Sequence, residues 1–327
     1  MLLQKNDRGI TLLEVIMSAA LFTILALGVA RFLQNSRDGL TMLESQGSIL
    51  GGVQKVLDAI RPNLACAYRI FEENSAGPSY IAKIDGTGLP PRLSGSRLPI
   101  IESQGSLTPS ASAFVPGSVG NCLFFASANK SFDTTVRRID LYTFHYYFLT
   151  PTAAQFGTSK VRHLWEWHSI RYANYPELAS MTAADRTTAI GELIAQNIHM
   201  AWDMSKDPDD AFYLMDNAGG MTLAPSTYRI QSTLSGNAIA LITGVTGNPY
   251  RYSVCPNNTA GEFSVKSEVP RYATAVGADF PSGFEIVVDG PGSAREVLIR
   301  LVVVAKSGPR RFLSTEGLSI NSVRDVW

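Results

Sequence analysis

Residues 8–32 read RGITLLEVIMSAALFTILALGVARF, a run of membrane-grade apolar side chains interrupted by one carboxylate, Glu14. A lone acidic group at the centre of a bilayer helix costs roughly 2.5–3.5 kcal/mol on insertion scales. Ionisable groups at that depth are rare, usually paired and usually functional. Glu14 therefore calls for a partner, and the nature of that partner decides how the chain is used.

From Val15 to Ala30 sixteen residues carry no charge, and counted from Ile10 the span reaches the length of about twenty needed to cross a hydrocarbon core. Lys5 and Arg8 precede it, so the positive-inside rule keeps the N-terminus in the cytoplasm and puts the chain beyond Arg31 on the far side. A cleaved secretory signal is the simplest alternative, with Ala26-Leu27-Gly28 as its small-x-small cleavage site. The early carboxylate and the excess length argue against it. A plain signal anchor explains the hydrophobicity but leaves Glu14 without a role.

A third reading accounts for every feature. GITLLEV resembles the class III signal of type IV prepilins and type II secretion pseudopilins: a short charged leader ending in glycine, a new first residue, then Thr-Leu-Leu/Ile-Glu. Gly9 matches the last leader residue, Ile10 the new N-terminus and Glu14 the acidic fifth residue of the mature chain. Ile10 departs slightly, since Phe or Met is commoner there. The resemblance implies a leader over 1–9, cut off on the cytoplasmic side by the membrane-embedded prepilin peptidase, which then methylates the Ile10 amine. It also implies that Glu14 pairs with the N-terminal amine of a neighbouring subunit, which offsets its desolvation. The partners implied are the peptidase, other pilin or pseudopilin subunits, the inner-membrane assembly platform and membrane lipid.

Beyond Arg31, the residues Leu33, Leu40, Leu43, Leu50, Val53, Leu57 and Ile60 recur at three-, four- and seven-residue steps, the mark of one apolar helix face. Pro62 predicts the stop, because proline cannot continue a helix. The expected helix spans 10–61, about 78 Å at 1.5 Å per residue, with about 10–31 in the membrane. Gly47, Gly51 and Gly52 lower its propensity and point to a bend, a close approach of the sheet or a locally weak helix.

Residues 62–327 form the expected periplasmic head. Over 74–120, seven Gly, six Pro and nine Ser in 47 residues predict a long flexible loop. Strand signals follow at Cys122–Ala126, Ile139–Leu149, Val161–Ile170, Asn197–Met204, Phe284–Val288 and Glu296–Ala305, with a helix at Ala184–Ala195. Tyr142, Phe144, Tyr146 and Phe148 share one face of their strand. The stretch 219–281, punctuated by Gly, Asn and Pro, reads as an insertion. Hairpin spacing without βαβ alternation predicts an α+β, pilin-like fold: a long N-terminal helix, half transmembrane, packed on an antiparallel sheet with long loop insertions. The runs DLYTFHYYFL, HLWEWHSIRY, ELIAQNIHMAW and EVLIRLVVVAK also resemble, diffusely, the larger W-type minor pilins and J-type pseudopilins.

The head offers little chemistry to a sequence reading. In HLWEWH, His163 falls on the face opposite Glu166 and His168, so the three do not converge and no metal site is expected. In DMSKDPDD, Asp203, Asp207, Asp209 and Asp210 are calcium-type oxygens without the EF-hand spacing, which reads as a solvated acidic turn. GxSxG, GxGxxG and P-loop motifs are missing, so neither an enzyme nor a cofactor is expected. Lys plus Arg and Asp plus Glu both number 28, and the resulting zero net charge argues against nucleic acid as a partner.

Three cysteines, Cys66, Cys122 and Cys255, would meet an oxidising compartment if the head is periplasmic. Architecture favours Cys66 with Cys122, which would close the Gly/Pro/Ser-rich loop for roughly 4 kcal/mol on chain-entropy grounds. Cys122 with Cys255, or three buried free thiols, are the alternatives. The sequence thus reads as a minor pilin or pseudopilin that enters or primes a periplasmic filament. A tip-located adhesin or ligand-binding head and an anchored periplasmic enzyme are the rival readings.

Overall fold

The structure is a computed structural model that describes residues 11–73, 76–87, 89–103, 107, 118–156, 159–232, 239–240, 252–254, 272, 283–307 and 311–325. It divides into two compact units, Met1–Ser48 with Lys306–Leu313, and Ile49–Ala305 with Ser314–Trp327. The fold is α+β: one long N-terminal apolar helix and a sheet-rich head.

The first helix, α1 (Leu12–Ala65), is 54 residues long, about 81 Å. In the N-terminal unit its large apolar side chains are exposed, among them Leu12, Phe22, Leu25 and Phe32. Two of its hydroxyls bond back along the helix: Thr23 donates to the Ala19 carbonyl at 2.7 Å and Thr41 to that of Arg37 at 3.0 Å. For Thr23, inside the expected span of 10–31, such back-bonding would hide a hydroxyl from an apolar solvent. Gly28, Gly39, Gly47 and Gly51 all stand in open space within unbroken helix, so neither a bend nor a close approach of the sheet explains Gly47 and Gly51.

One helix expectation is corrected. The helix runs through Pro62 to Ala65 instead of stopping at Arg61. Pro62 forfeits one backbone donor, but Ile60 and Leu64 are fully buried, and their packing holds the last turn in helical form. The stripe that the head buries is Ile49, Val53, Val56, Leu57, Ile60 and Leu64. Leu33, Leu40, Leu43 and Leu50, which belong to the same apolar periodicity, are exposed.

Past α1 the chain forms β1 (Ala67–Ile70), α2 (Gly77–Ala82), β2 (Ile101–Glu102), β3 (Leu123–Asp133), β4 (Arg138–Phe156) and β5 (Ser159–His168). Then come β6 (Tyr172–Asn174), α3 (Tyr175–Ala179), α4 (Ala183–Ala195), β7 (Met200–Trp202), β8 (Phe212–Met215) and β9 (Met221–Leu223). The last elements are β10 (Ile239–Ala240), β11 (Tyr252–Val254), β12 (Phe284–Asp289), β13 (Arg295–Ser307) and β14 (Arg311–Val323). One sheet takes in all of these strands, its main path running β2-β12-β13-β11-β5-β4-β6-β7-β8-β9. The expected β4–β5 hairpin is present, in a register that sets His145 opposite His168 and Tyr147 opposite Glu166.

The sheet is mixed, which corrects the antiparallel expectation. β6 pairs parallel to β7 through the α3–α4 crossover, and β2 pairs parallel to β12. A three-residue strand such as β6 carries too little periodicity to be read, so its βαβ unit passed unnoticed. The supposed loop over 74–120 also contributes to the core: Tyr80, Ile81, Ile84 and Leu98 are buried against Phe71, Phe124 and Phe144. The stretch 219–281 is more than an insertion, since β11 pairs with both β5 and β13 and so joins two parts of the sheet.

The two faces of β4 have different cover. Tyr142, Phe144, Tyr146 and Phe148 pack with Phe124, Trp167, Tyr172, Trp202 and Phe212 in an aromatic core. The opposite face carries His145, Tyr147 and Leu149, and there Asn63 of α1 donates to the Tyr147 hydroxyl at 3.5 Å. β14 closes over the end of α1: Arg61 donates to the Ser319 hydroxyl at 3.5 Å. It is pinned to its neighbours by a buried ion network in which Arg300 meets Glu285 at 2.6 Å and Glu316 at 3.0 Å.

Gly317 marks the tightest point of this closure, because a Cβ there would run into Val53 Cγ1 and lie 3.1 Å from Leu57 Cδ1. Gly317→Val should therefore lower head stability by about 1–3 kcal/mol through overpacking. Adding Val53→Ala should recover part of the loss, a coupling that thermal melts of the four proteins of the double-mutant cycle would read directly.

Candidate functional site

At the start of α1 the chain builds a reciprocal cap. The Glu14 carboxylate accepts from the Thr11 backbone N–H at 2.9 Å and from the Thr11 hydroxyl at 3.0 Å, while Glu14 N–H donates back to Thr11 Oγ1 at 3.3 Å. Thr11-Leu-Leu-Glu14 is thus a capping box, the S/T-x-x-E arrangement that satisfies orphan donors at a helix N-terminus. The signal for it was open to view in TLLE and was missed in favour of the intermolecular role. Glu14 has a partner inside its own chain before any other subunit arrives. Gly9 and Ile10 lie outside the described residues.

The head holds a second polar constellation. Glu166 and His168 share a face of β5, as expected, and His163 lies on the other face of that strand, opposite Thr150 and Ser253 in the ladder. The third member is His145 on β4, which sequence reasoning overlooked because the aromatic face of that strand drew the attention. His145 Nδ1 is 2.8 Å from His168 Nδ1, and His168 Nε2 is 2.7 Å from Glu166 Oε1. Tyr147 donates to Glu166 Oε1 at 2.7 Å, and Ser127 Oγ sits 2.8 Å from His145 Nε2. Burial holds the His145 pKa well below the ordinary histidine range, with His168 adding to the effect. Burial, and next the Glu166 charge, raises Tyr147 well above the ordinary tyrosine value.

The acidic turn is engaged with the protein's own groups. Asp203 accepts from the Ser205 N–H at 3.0 Å and its hydroxyl at 2.6 Å, Lys83 meets Asp209, and the Arg69 guanidinium donates to the Met204 carbonyl. This Asx-type turn is braced by two cations; Asp203 is buried, which departs from the solvated reading of DMSKDPDD, whereas Asp207, Asp209 and Asp210 are exposed.

The favoured disulfide is corrected. Cys66 and Cys122 are both free, the first exposed and the second buried. The Cys66 carbonyl accepts from Ala128 N–H at 2.9 Å, whereas Cys122 lies at the far end of the same β3 ladder. Six residues of strand separate those levels by about 20 Å, far beyond the roughly 7 Å limit for bridging Cα atoms. The expectation placed Cys66, just past the helix, beside the start of the Cys122 strand; the chain after Cys66 instead pairs as β1 with a later level of β3. Cys255 lies outside the described residues.

Residues 4–30 match the family model described as the prokaryotic N-terminal methylation motif. The chain therefore carries a type IV prepilin-like class III signal, the mark of a pilin-like precursor cleaved by prepilin peptidase and methylated at its new N-terminus. With its one apolar N-terminal helix, that signal is consistent with a single-pass inner-membrane anchor, and it suggests a structural subunit more than an enzyme. Searches of curated proteins and of solved structures find no match.

The two thiols should differ sharply in reactivity. Burial pushes Cys122 up to about 12, against a partial lowering by Arg92. In a Cys255→Ser chain at pH 8, iodoacetamide should label Cys66 readily and Cys122 only after denaturation, as read by intact mass and peptide mapping. Equal labelling of both in the native chain would contradict the described burial.

Proposed function

We propose that the chain is a minor pilin or pseudopilin subunit, cleaved after Gly9, methylated on Ile10, and inserted into or priming a type IV pilus or type II secretion pseudopilus. The carrying observation is the register of glycine, apolar first residue and Glu14 at the start of an apolar helix. The exposure of Leu33, Leu40, Leu43 and Leu50 supports it, because these side chains lie beyond the expected span of 10–31 and offer neighbouring helices an apolar surface. In this reading the leader stays in the cytoplasm, the head faces the periplasm, and the assembly platform and other subunits are the partners. Major pilins are generally shorter chains, which favours a low-copy role.

A ligand-binding or adhesive head is the second reading. It draws support from an open cavity of about 260 Å³ lined by Ile81, Leu89, Pro91, Arg92, Tyr146 and Phe148, much of it from the 74–120 segment. Deletion that abolishes filaments or secretion favours assembly; deletion that spares filaments but removes surface attachment favours the adhesive role.

Processing is tested by Gly9→Val, in which a branched side chain crowds the peptidase. N-terminal sequencing should find mature Ile10 in the wild type and an uncut leader in the variant. A wild-type chain that retains Met1–Gly9 in cells with an active peptidase would overturn the pilin reading.

The capping box makes a finer test of Glu14. Glu14→Gln keeps a side chain able to cap Thr11 but removes the charge, whereas Glu14→Leu removes both. If pairing with a neighbour's amine is the essential role, both variants should be cleaved normally and both should co-purify poorly with filaments. Normal incorporation of Glu14→Gln beside failure of Glu14→Leu would assign the residue to helix capping alone.

A further inference from the structure

Beneath the last turns of α1, the sheet sets His145, Glu166 and His168 where an apolar contact would be the ordinary choice. A hydrogen-bonded relay accounts for part of this: Ser127, His145, His168, Glu166, Tyr147 and Asn63 follow one another at 2.7–3.5 Å. The relay does not account for the convergence. One ligand-type atom from each of the three residues lies within 4.8 Å of the other two. Cross-strand pairing of His145 with His168, and the two-residue step from His168 to Glu166 on one face, produce that triangle from backbone geometry alone.

We propose that His145, His168 and Glu166 form a binding site for one zinc-class divalent ion, which pins β4 to β5 beneath the head end of α1. Two neutral imidazoles and a carboxylate suit an ion of intermediate softness. Zinc–nitrogen bonds of about 2.0–2.1 Å put two tetrahedral donors about 3.3 Å apart, so the two Nδ1 atoms, 2.8 Å apart, need only a slight opening. Glu166 contacts the other nitrogen of the His168 ring, Nε2, and must exchange that contact for the metal bond to join the ion on Nδ1. The ion takes the place of the proton that otherwise lies between the two Nδ1 atoms, and that proton moves to His168 Nε2, so each ring keeps one proton and stays neutral. The outer partners are those a metal site uses. Ser127 receives the His145 Nε2–H and fixes Nδ1 as the ligand, and Tyr147 holds the Glu166 carboxylate. A buried carboxylate and two uncharged rings gain a counter-charge, leaving the site at +1. His168, its side chain 19% exposed, is the open side through which the ion enters and a water can complete the coordination.

The test uses the full chain, without a polyhistidine tag, in detergent after dialysis against a chelator. Calorimetric titration with zinc should give one ion per chain and a raised melting temperature. Ser127→Ala should weaken binding about 10–100-fold, His168→Gln should abolish it, and His163→Gln, on the other face, should leave it unchanged. A wild-type chain that takes up no zinc, or a His168→Gln chain that binds as tightly as wild type, overturns the proposal. If His168→Gln fails to fold, the cobalt(II) spectrum of the wild type decides: intense four-coordinate bands support the site, and a spectrum like that of the aqueous ion refutes it.

Discussion

The constraint on which the rest depends is that α1 is one continuous helix required to satisfy two different environments. From Leu12 to Leu43 its apolar side chains are exposed in the isolated chain, and that exposure is tolerable only where lipid or other helices supply the cover. From Ile49 onward the same helix carries a stripe that its own head buries. The switch needs no break in the backbone, since the helix bonds its own peptide groups in either solvent. What changes is only which side chains find partners within the chain.

Glu14 shows how a costly group is made serviceable at each stage. In the single chain it closes a capping box with Thr11 and so satisfies donors that a bilayer leaves unbonded. That bond does not exhaust it, because a carboxylate accepts at both oxygens and keeps its charge. In the proposed assembly, a carboxylate held in this way would lose less ordering entropy on pairing with a neighbour's amine.

In the head, the two faces of β4 divide the labour between packing and polarity. The aromatic face stacks Phe71, Phe124 and Phe144 with rings 4.7–6.1 Å apart. The α1 face admits His145, Glu166 and Tyr147, each with a hydrogen-bonding partner. Polar groups at a helix–sheet interface fix one register where apolar contacts alone tolerate sliding. Arg300 with Glu285 and Glu316 does the same for β12, β13 and β14.

The sequence by itself determined whatever depends on neighbours along the chain. The class III signal, the long apolar helix, the β4–β5 hairpin, the helix at Ala183–Ala195 and the strands β12 and β13 are all local in this sense, each written in spacing or composition over ten to thirty residues. Elements that owe their form to distant partners were illegible. β14, with Thr315, Ser319, Asn321 and Ser322, has the composition of a loop and is a strand because β13 pairs with it. β1 and β6 are too short for a periodicity to show. Helical structure through Pro62 is a tertiary decision too, since the burial of Ile60 and Leu64 outweighs one lost hydrogen bond. The cysteines and the histidines make the same point in opposite senses. Expected architecture favoured Cys66 with Cys122, and strand register drew them apart; strand alternation dismissed HLWEWH, and strand register brought His145 to it from 21 residues before Glu166. Register is set by the summed burial of two strand faces, a quantity that no single residue carries and that exists only once the sheet has formed.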